Sequence, residues 1–263
     1  ALISFGMTFV ILTGGIDLSV GSILALSSVL MGSFIKSGNN PIVGIVLACL
    51  MGAVLGAVNG LVITKGKVAP FIATLATMTI FRGLTLVYTN GNPISSLTES
   101  ELFHGFGQGY FMGLPVPAIM MLLMFAVSYF ILHKTTLGRK TYAVGGNEKV
   151  SFIAGIKIDR IKIFAYTITG FLCGMAGAIL TSRLNSAQPT AGTGYELDAI
   201  AAVVLGGASL SGGKGRIVGT IIGALIIGTL NNGLNILNVS SFYQQVVKGI
   251  VILLAVLMDR KKS

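Results

Sequence analysis

A chain of 263 residues that is 53% apolar and only 10% charged, with a mean hydropathy of +0.88, lacks the charge to cover a water-facing surface. Soluble proteins use about 25% charged residues for that purpose. The net charge of +10 arises from 18 Lys and Arg against 8 Asp and Glu. It does not point to nucleic acid, because the basic residues gather in short stretches between apolar runs, the pattern of cytoplasm-facing loops in a membrane protein.

A spanning helix needs roughly 20 mostly apolar residues. Nine segments meet or approach that length in chain order: 1–13, 16–35, 42–63, 68–89, 114–132, 161–181, 196–212, 216–237 and 243–258. The first is short, the second begins with Asp17, and the seventh carries Glu196 and Asp198. The predicted fold is therefore an all-α polytopic membrane protein, a single transmembrane domain over 1–263. Lys134, Arg139, Lys140, Lys149, Lys157, Arg160 and Lys162 place the stretch 133–160 and its border inside, as Arg260 to Lys262 place the C-terminus. The stretch from Thr89 to Gly113 has Glu99 and Glu101 but no Lys or Arg and belongs outside. Alternation puts Lys65, Lys67, Lys214 and Arg216 inside, and leaves Lys36, Arg82, Arg183 and Lys248 toward the outer side. Arg82, about 24 Å along its span at 1.5 Å per residue, reads as snorkelling to the outer interface.

Two parts of the chain align with each other. Gly15-Ile-Asp-Leu18 corresponds to Gly194-Tyr-Glu-Leu197, and Gly52-x3-Gly56-x3-Gly60 to Gly219-x3-Gly223. The first of each pair runs opposite to the second in this topology, so the halves, about 1–90 and 114–258, read as inverted copies. An inverted repeat needs an odd number of spans per half, and one span lacks a partner. The expectation is a further helix before Ala1, giving ten spans arranged five plus five.

The glycine rows at Gly52, Gly56, Gly60, Gly219 and Gly223 read as sites of close helix packing, which drives association where lipid offers no hydrophobic gain. Acidic residues at membrane depth are costly and mark functional or structurally sensitive positions. Asp17 and Glu196 each follow glycines, Gly14 and Gly15 in one case, Gly192 and Gly194 in the other, that predict broken helices with a carboxylate near the positive end of the next half-helix. Asp17, Ser19, Asn59, Glu196, Asp198, Asn231 and Asn235 are the candidate path or gate residues. Neutral amides and hydroxyls among them suit a path that passes a polyol without holding it. Asn231 and Asn235, four apart, share one helix face.

The stretch 133–160 is too long for an ordinary connector. Gly145 and Gly146 predict a break, Asn147 an N-cap, Glu148 a first-turn acid, and Gly155 the stop of a short helix over Lys149 to Ala154. This is a candidate docking element. Enzymatic readings fail. Gly207 to Gly215 lacks the Gly and hydroxyl positions of a phosphate loop, and Gly192-Thr-Gly194 does not continue as a dinucleotide fingerprint. His104 and His133 fall on opposite membrane sides, and Cys49 and Cys173 lie in apolar runs without metal or redox spacing. No catalytic residue, metal or cofactor is expected.

Five segments carry a family resemblance: Gly14-Gly-Ile-Asp-Leu-Ser-Val-Gly21, Tyr88-Thr-Asn-Gly-Asn-Pro93, Leu137-Gly-Arg-Lys-Thr-Tyr-Ala-Val-Gly-Gly-Asn-Glu148, Ser186 to Asp198, and Gly212-Gly-Lys-Gly-Arg-Ile-Val-Gly219. They closely resemble the permease subunits of bacterial ribose-type sugar ABC importers, over the whole chain. The first of these segments is shared across permeases for ribose, xylose, galactosides and autoinducer-2, while Ser186 to Asp198 looks most like the ribose member. The resemblance implies a multi-pass subunit of the bacterial inner membrane that pairs with a second copy as a homodimer. It further implies cytoplasmic ATP-binding subunits and a periplasmic sugar-binding protein as partners, with D-ribose the expected cargo. By the same resemblance Gly145, Gly146, Asn147, Glu148 and Gly155 couple the chain to the ATPase. Lys149 and Val150 depart from the family's usual small residues after the Glu, and the absent first helix is a second departure. The rival class is an ion-coupled secondary sugar transporter, which also uses inverted repeats and broken helices.

Overall fold

The computed structural model describes residues 1–260. In chain order, α1 (Leu2–Leu12) and α2 (Val20–Lys36) flank a non-helical turn, and α3 (Pro41–Thr64) and α4 (Pro70–Thr89) follow. A compact connecting segment then contains β1 (Ile94–Ser95), α5 (Glu101–Gln108), β2 (Tyr110–Phe111) and β3 (Leu114–Pro115). The chain returns through α6 (Val116–Lys134), turns in α7 (Thr136–Gly146) and α8 (Glu148–Ile153), and crosses again in α9 (Ile158–Leu184). It ends with β4 (Ser186–Ala187), α10 (Tyr195–Leu205), α11 (Ile217–Ile236) and α12 (Ser241–Arg260). The architecture is all-α and polytopic, with two small antiparallel strand pairs at one end, β1 with β4 and β2 with β3.

Among the described residues, five helices are long and apolar enough to cross a membrane: α3, α4, α6, α9 and α11. Their boundaries follow local chemistry. Proline at the first turn starts α3, α4 and α6, where a missing N–H costs nothing. Asn90 and Asn185, in the left-handed conformation at φ 49° and 45°, stop α4 and α9.

The sequence reading of 1–13 and 196–212 as spans is corrected. At 11 residues each, α1 and α10 reach only about 16 Å, half a bilayer core. The second of them stops at Leu205 because Gly206 and Gly207 turn the chain, Gly207 at φ +85°. The segment 16–35 likewise begins its helix only at Val20, since Ile16 to Ser19 form the turn.

Packing explains why α1 looked weak as a span. Residues 3–12 are all buried, so this helix has no outward face and forms the centre of the bundle, as an apolar-all-round helix must. The long helix α9 runs beside it, and Phe5, Phe9, Leu12, Ala165, Tyr166 and Leu172 share one core. In α3 the rows separate cleanly. Ala48, Gly52 and Gly56 face α9, while Val46, Leu50, Val54 and Val58 point outward. A row repeating every four residues lies along one helix face, so the small row sets the packing and the branched row meets lipid.

The ends of the helices gather in two groups. On one side, Lys65 pairs with Asp159 at 2.7 Å, and the N–H of Gly213 donates to the Leu12 carbonyl at 3.0 Å. On the other, Lys36 donates to the Ser95 carbonyl at 3.0 Å and Ile94 pairs with Ala187. The stretch 133–160 is two helices rather than a loop with one. Gly145 and Gly146 do not break the chain; both remain in α7, and the break falls at Asn147. Helix α7 forms because Thr135 caps it, accepting from the Gly138 N–H at 3.3 Å.

Candidate functional site

The first break is built on Asp17, which is fully buried. Its Oδ1 accepts the Ser19 N–H at 2.9 Å and the Ser19 hydroxyl at 2.6 Å, so the carboxylate closes the turn and sits at the N-terminus of α2. From α3, the Asn59 amide donates to the Ser19 hydroxyl at 2.7 Å, giving a relay from Asn59 through Ser19 to Asp17. Two more helices close on the same turn. Thr74 of α4 and Tyr166 of α9 place hydroxyls 3.2 Å and 3.5 Å from the Ile16 carbonyl. Asp17 Oδ2 and Asn59 Oδ1 are buried without a protein partner.

The second break runs from Pro189 to Gly194. Gly192 and Gly194 adopt φ of +74° and +84°, which a side chain would strain, and the Gly194 N–H donates to Glu196 Oε1 at 3.2 Å. Irregular backbone at membrane depth must find partners inside the protein. Arg82 supplies them, donating from one guanidinium nitrogen to the carbonyls of Pro189 at 2.6 Å and Ala191 at 2.9 Å. The reading of Arg82 as snorkelling is thereby corrected, because two freed carbonyls deeper in the protein offer a better place for a guanidinium than the interface.

The two breaks touch. Gly21 at the start of α2 lies against Gly192, and a Cβ on either would strike the other's backbone. The turn that opens α2 and the turn that precedes α10 thus adjoin in space.

A third polar group sits apart from these. Lys248 of α12 pairs with Asp198 of α10 at 3.0 Å, and the Asn231 amide of α11 approaches the same carboxylate oxygen at 3.4 Å. Asp198 and Asn231 line a cavity of about 460 Å³ with Ser4, Arg183 and Tyr195. Asn235 lies further along α11, where its Oδ1 accepts from Gln244 at 2.9 Å. The seven candidate path residues therefore form separate groups: Asp17, Ser19 and Asn59 in one, Asp198 and Asn231 in another, with Glu196 and Asn235 individually engaged. Lys248 was missed because its charge was counted toward sidedness. The available signal was that an intramembrane Lys takes an acidic partner, and Asp198 was at hand.

Breaking that pair has a clear expected outcome. Lys248→Ala leaves Asp198 without its cation at a site where both groups are mostly shielded, and uptake should fall strongly. The exchanged pair Asp198→Lys with Lys248→Asp should recover a measurable part of it. Equal loss in the single and exchanged variants, with equal protein in the membrane, would mean that position-specific contacts rather than charge pairing matter.

In the stretch 133–160, Asn147 caps α8 by accepting the Val150 N–H at 3.0 Å, and Glu148 in its first turn pairs with Lys162 at 2.8 Å. Gly155, at φ +78°, ends the element. The apolar residues of α8 point away from the bundle: Phe152 is 71% and Ile153 84% exposed. Neither was singled out from sequence, although two bulky apolar residues beside the Asn147 cap were visible there. Helix α7 is gripped instead. Gly145 lies against the Leu12 carbonyl and the Gly213 backbone, and Tyr142 donates its hydroxyl to the Gly215 carbonyl at 2.8 Å. Burial raises the Tyr142 phenol above its usual pKa, which keeps it a donor.

The glycine rows have defined contacts. Gly52 and Gly56 of α3 meet the backbone of Gly170 and Tyr166, and Gly60 meets Ile163. Gly219 and Gly223 of α11 meet Gly206 and Ala202.

Comparison with known proteins supplies the family. A family described as branched-chain amino acid transport system / permease component matches residues 1–256. The ribose import permease protein RbsC of Bacillus subtilis is 71% identical over 262 residues, covering 100% of this chain and 81% of that relative. Its namesake from Escherichia coli K12 is 56% identical over 265 residues, covering 100% and 83%. The L-arabinose transport system permease protein AraH of Escherichia coli K12 is 41% identical over 262 residues, covering 100% and 79%. No solved structure matches the chain. With a bundle of apolar helices, two broken helices in contact and a match over residues 1–256, the chain belongs to this family of transport-system permease components.

Proposed function

We propose that the chain is the membrane-spanning subunit of an ATP-driven ABC importer of the bacterial inner membrane, and that its cargo is a monosaccharide, D-ribose. Two copies pair to enclose the path. Cytoplasmic subunits hydrolyse ATP, and a periplasmic binding protein delivers the sugar. The membrane domain comprises two inverted half-repeats, about 1–90 and 114–258, with 133–160 as the coupling region. Asp17, Ser19, Asn59, Glu196, Asp198, Asn231 and Asn235 shape the path or its gate. The relatives named for ribose, at 71% and 56% identity, favour that sugar over the allose and arabinose named for relatives at 43% and 41%.

The observation that carries the coupling role is the α7–α8 element. Its outer helix presents Phe152 and Ile153 to the cytoplasm while its inner helix is wedged against Leu12 and Gly213. A partner that grips the first two residues moves the last two. Gly145, Gly146, Asn147, Glu148 and Gly155 give the element its shape and its stops.

The test is reconstitution in liposomes with and without the ATPase and sugar-binding subunits. Alone, the chain should be inert under proton or sodium gradients; with its partners, ribose should stimulate ATP hydrolysis and enter. Phe152→Ser with Ile153→Ser removes two apolar anchors, each worth about 1.5–3 kcal/mol when buried, so ATPase affinity should fall by more than about tenfold. Ion-driven pentose uptake by the chain alone would overturn the proposal.

A further inference from the structure

The segment connecting α4 to α6 ends in a β-hairpin that neither the proposed sugar path nor the coupling element uses. Strands β2 and β3 pair Tyr110 with Pro115 and Phe111 with Leu114. Met112 and Gly113 form the tip with φ of 50° and 81°, the two left-handed residues of a tight hairpin turn. The base is fixed to the bundle. The Gln108 amide donates to the Arg183 carbonyl at 2.8 Å, and the Val116 N–H of α6 donates to the Gly109 carbonyl at 2.9 Å. The tip is bare: Tyr110 is 74% exposed, Phe111 64% and Met112 90%, and Leu114 beside them is exposed as well.

Bulky apolar side chains gathered in this way make an unfavourable patch in water. Neighbouring strand residues point to opposite faces, so Tyr110 and Phe111 leave both faces of the hairpin uncovered. A docked protein surface would cover one face, whereas lipid surrounds both. The hairpin also continues a surface that already meets lipid. It joins α6 without a linker, and α6 is the least buried of the five helices of spanning length found among the described residues. From Leu102 to His133 the sequence contains no Asp, Glu, Lys or Arg, and the next charge is Lys134 at the far end of α6. The 19 residues of α6 reach about 28 Å, close to the roughly 30 Å of a bilayer core, so the hairpin stands where that core meets the headgroups. Tyr favours this level because its ring is apolar and its hydroxyl stays wet. We propose that the hairpin 110–115 is a membrane anchor, inserting Phe111 and Met112 at the acyl–headgroup boundary of a phospholipid bilayer at the end of α6 away from α7–α8. Tyr110 lies at headgroup level, and the hairpin fixes the depth of that end of α6. Having no charge, it is indifferent to headgroup charge.

Residues 1–263 contain no Trp, so an introduced indole reports its own surroundings. Met112→Trp and, independently, Phe111→Trp are reconstituted as the full-length protein in phosphatidylcholine liposomes, and emission is taken above that of the unsubstituted protein. Acyl chains brominated near the headgroup should quench both reporters severalfold more strongly than chains brominated near the terminal methyl, and aqueous iodide should leave both nearly untouched. Anionic lipid in place of phosphatidylcholine should change neither. Glu99→Trp, at an exposed charged position of the same connecting segment, is the control and should respond to iodide and not to bromine. All three variants should unfold with the unsubstituted protein on heating, since none replaces a buried side chain. Iodide quenching of both hairpin reporters without bromine quenching overturns the anchor. So does shielding from both quenchers, which would place the hairpin against another copy of the chain. An emission shift at the hairpin that requires added sugar-binding protein overturns it too. None of these readings involves ATP or sugar flux, so failure of the proposed function would leave them standing.

Discussion

Arg82→Ala should abolish uptake and lower the melting temperature of the purified protein, a larger effect than any other single-charge removal in the outer half. The guanidinium holds the carbonyls of Pro189 and Ala191, and no backbone donor meets them there because the segment is unwound. Leaving partly buried acceptors unpaired costs about 2 kcal/mol, a roughly 30-fold shift in the population of the packed arrangement. The consequence spreads because this segment carries Gly192, which packs on Gly21 at the start of α2, and leads into Glu196 and α10. Arg82→Lys retains charge but not the planar pair of donors and should recover only part of the activity. The measurement is sugar uptake in vesicles beside thermal unfolding in detergent. Full activity in Arg82→Ala would remove Arg82 from the support of the second break.

The second large effect is steric. Gly52→Ala and Gly170→Ala each place a Cβ against the opposing backbone of the α3–α9 contact, where neither neighbour is the end of a flexible side chain. The helices must separate, and overpacking of this kind costs about 1–3 kcal/mol. Larger residues at either position should prevent assembly. Gly83→Ala on α4 is the matched control: nothing stands within 4 Å of its added methyl, so stability should hold or rise slightly. If Gly52→Ala melts with Gly83→Ala and wild type, the tight α3–α9 contact is not what sets the bundle.

Much of this arrangement was legible in the residues. The long apolar runs gave α3, α4, α6, α9 and α11 within a few residues, since a bilayer demands both length and internal hydrogen bonding. Gly14, Gly15, Gly192 and Gly194 marked both breaks because positive φ and helix ends favour glycine. Asn147 marked the cap of α8, a local signal read from four residues. What local pattern missed were partners distant in sequence. Arg82 and Pro189 are 107 positions apart, Lys248 and Asp198 are 50 apart, and nothing near either residue names the other.

The sequence by itself determined that the chain lies in a membrane, where its helices break and which family it resembles. Composition, charge bias and glycine placement are each read by the bilayer or the backbone without reference to distant residues. Only the tertiary structure decided that α1 is a short buried helix at the centre rather than a span, that the two breaks meet at Gly21 and Gly192, and that Arg82 and Lys248 serve inward. Those outcomes depend on which helix faces come together, and in a chain apolar on nearly every face, hydrophobicity does not choose among them. Close glycine contacts and the pairing of buried polar groups do.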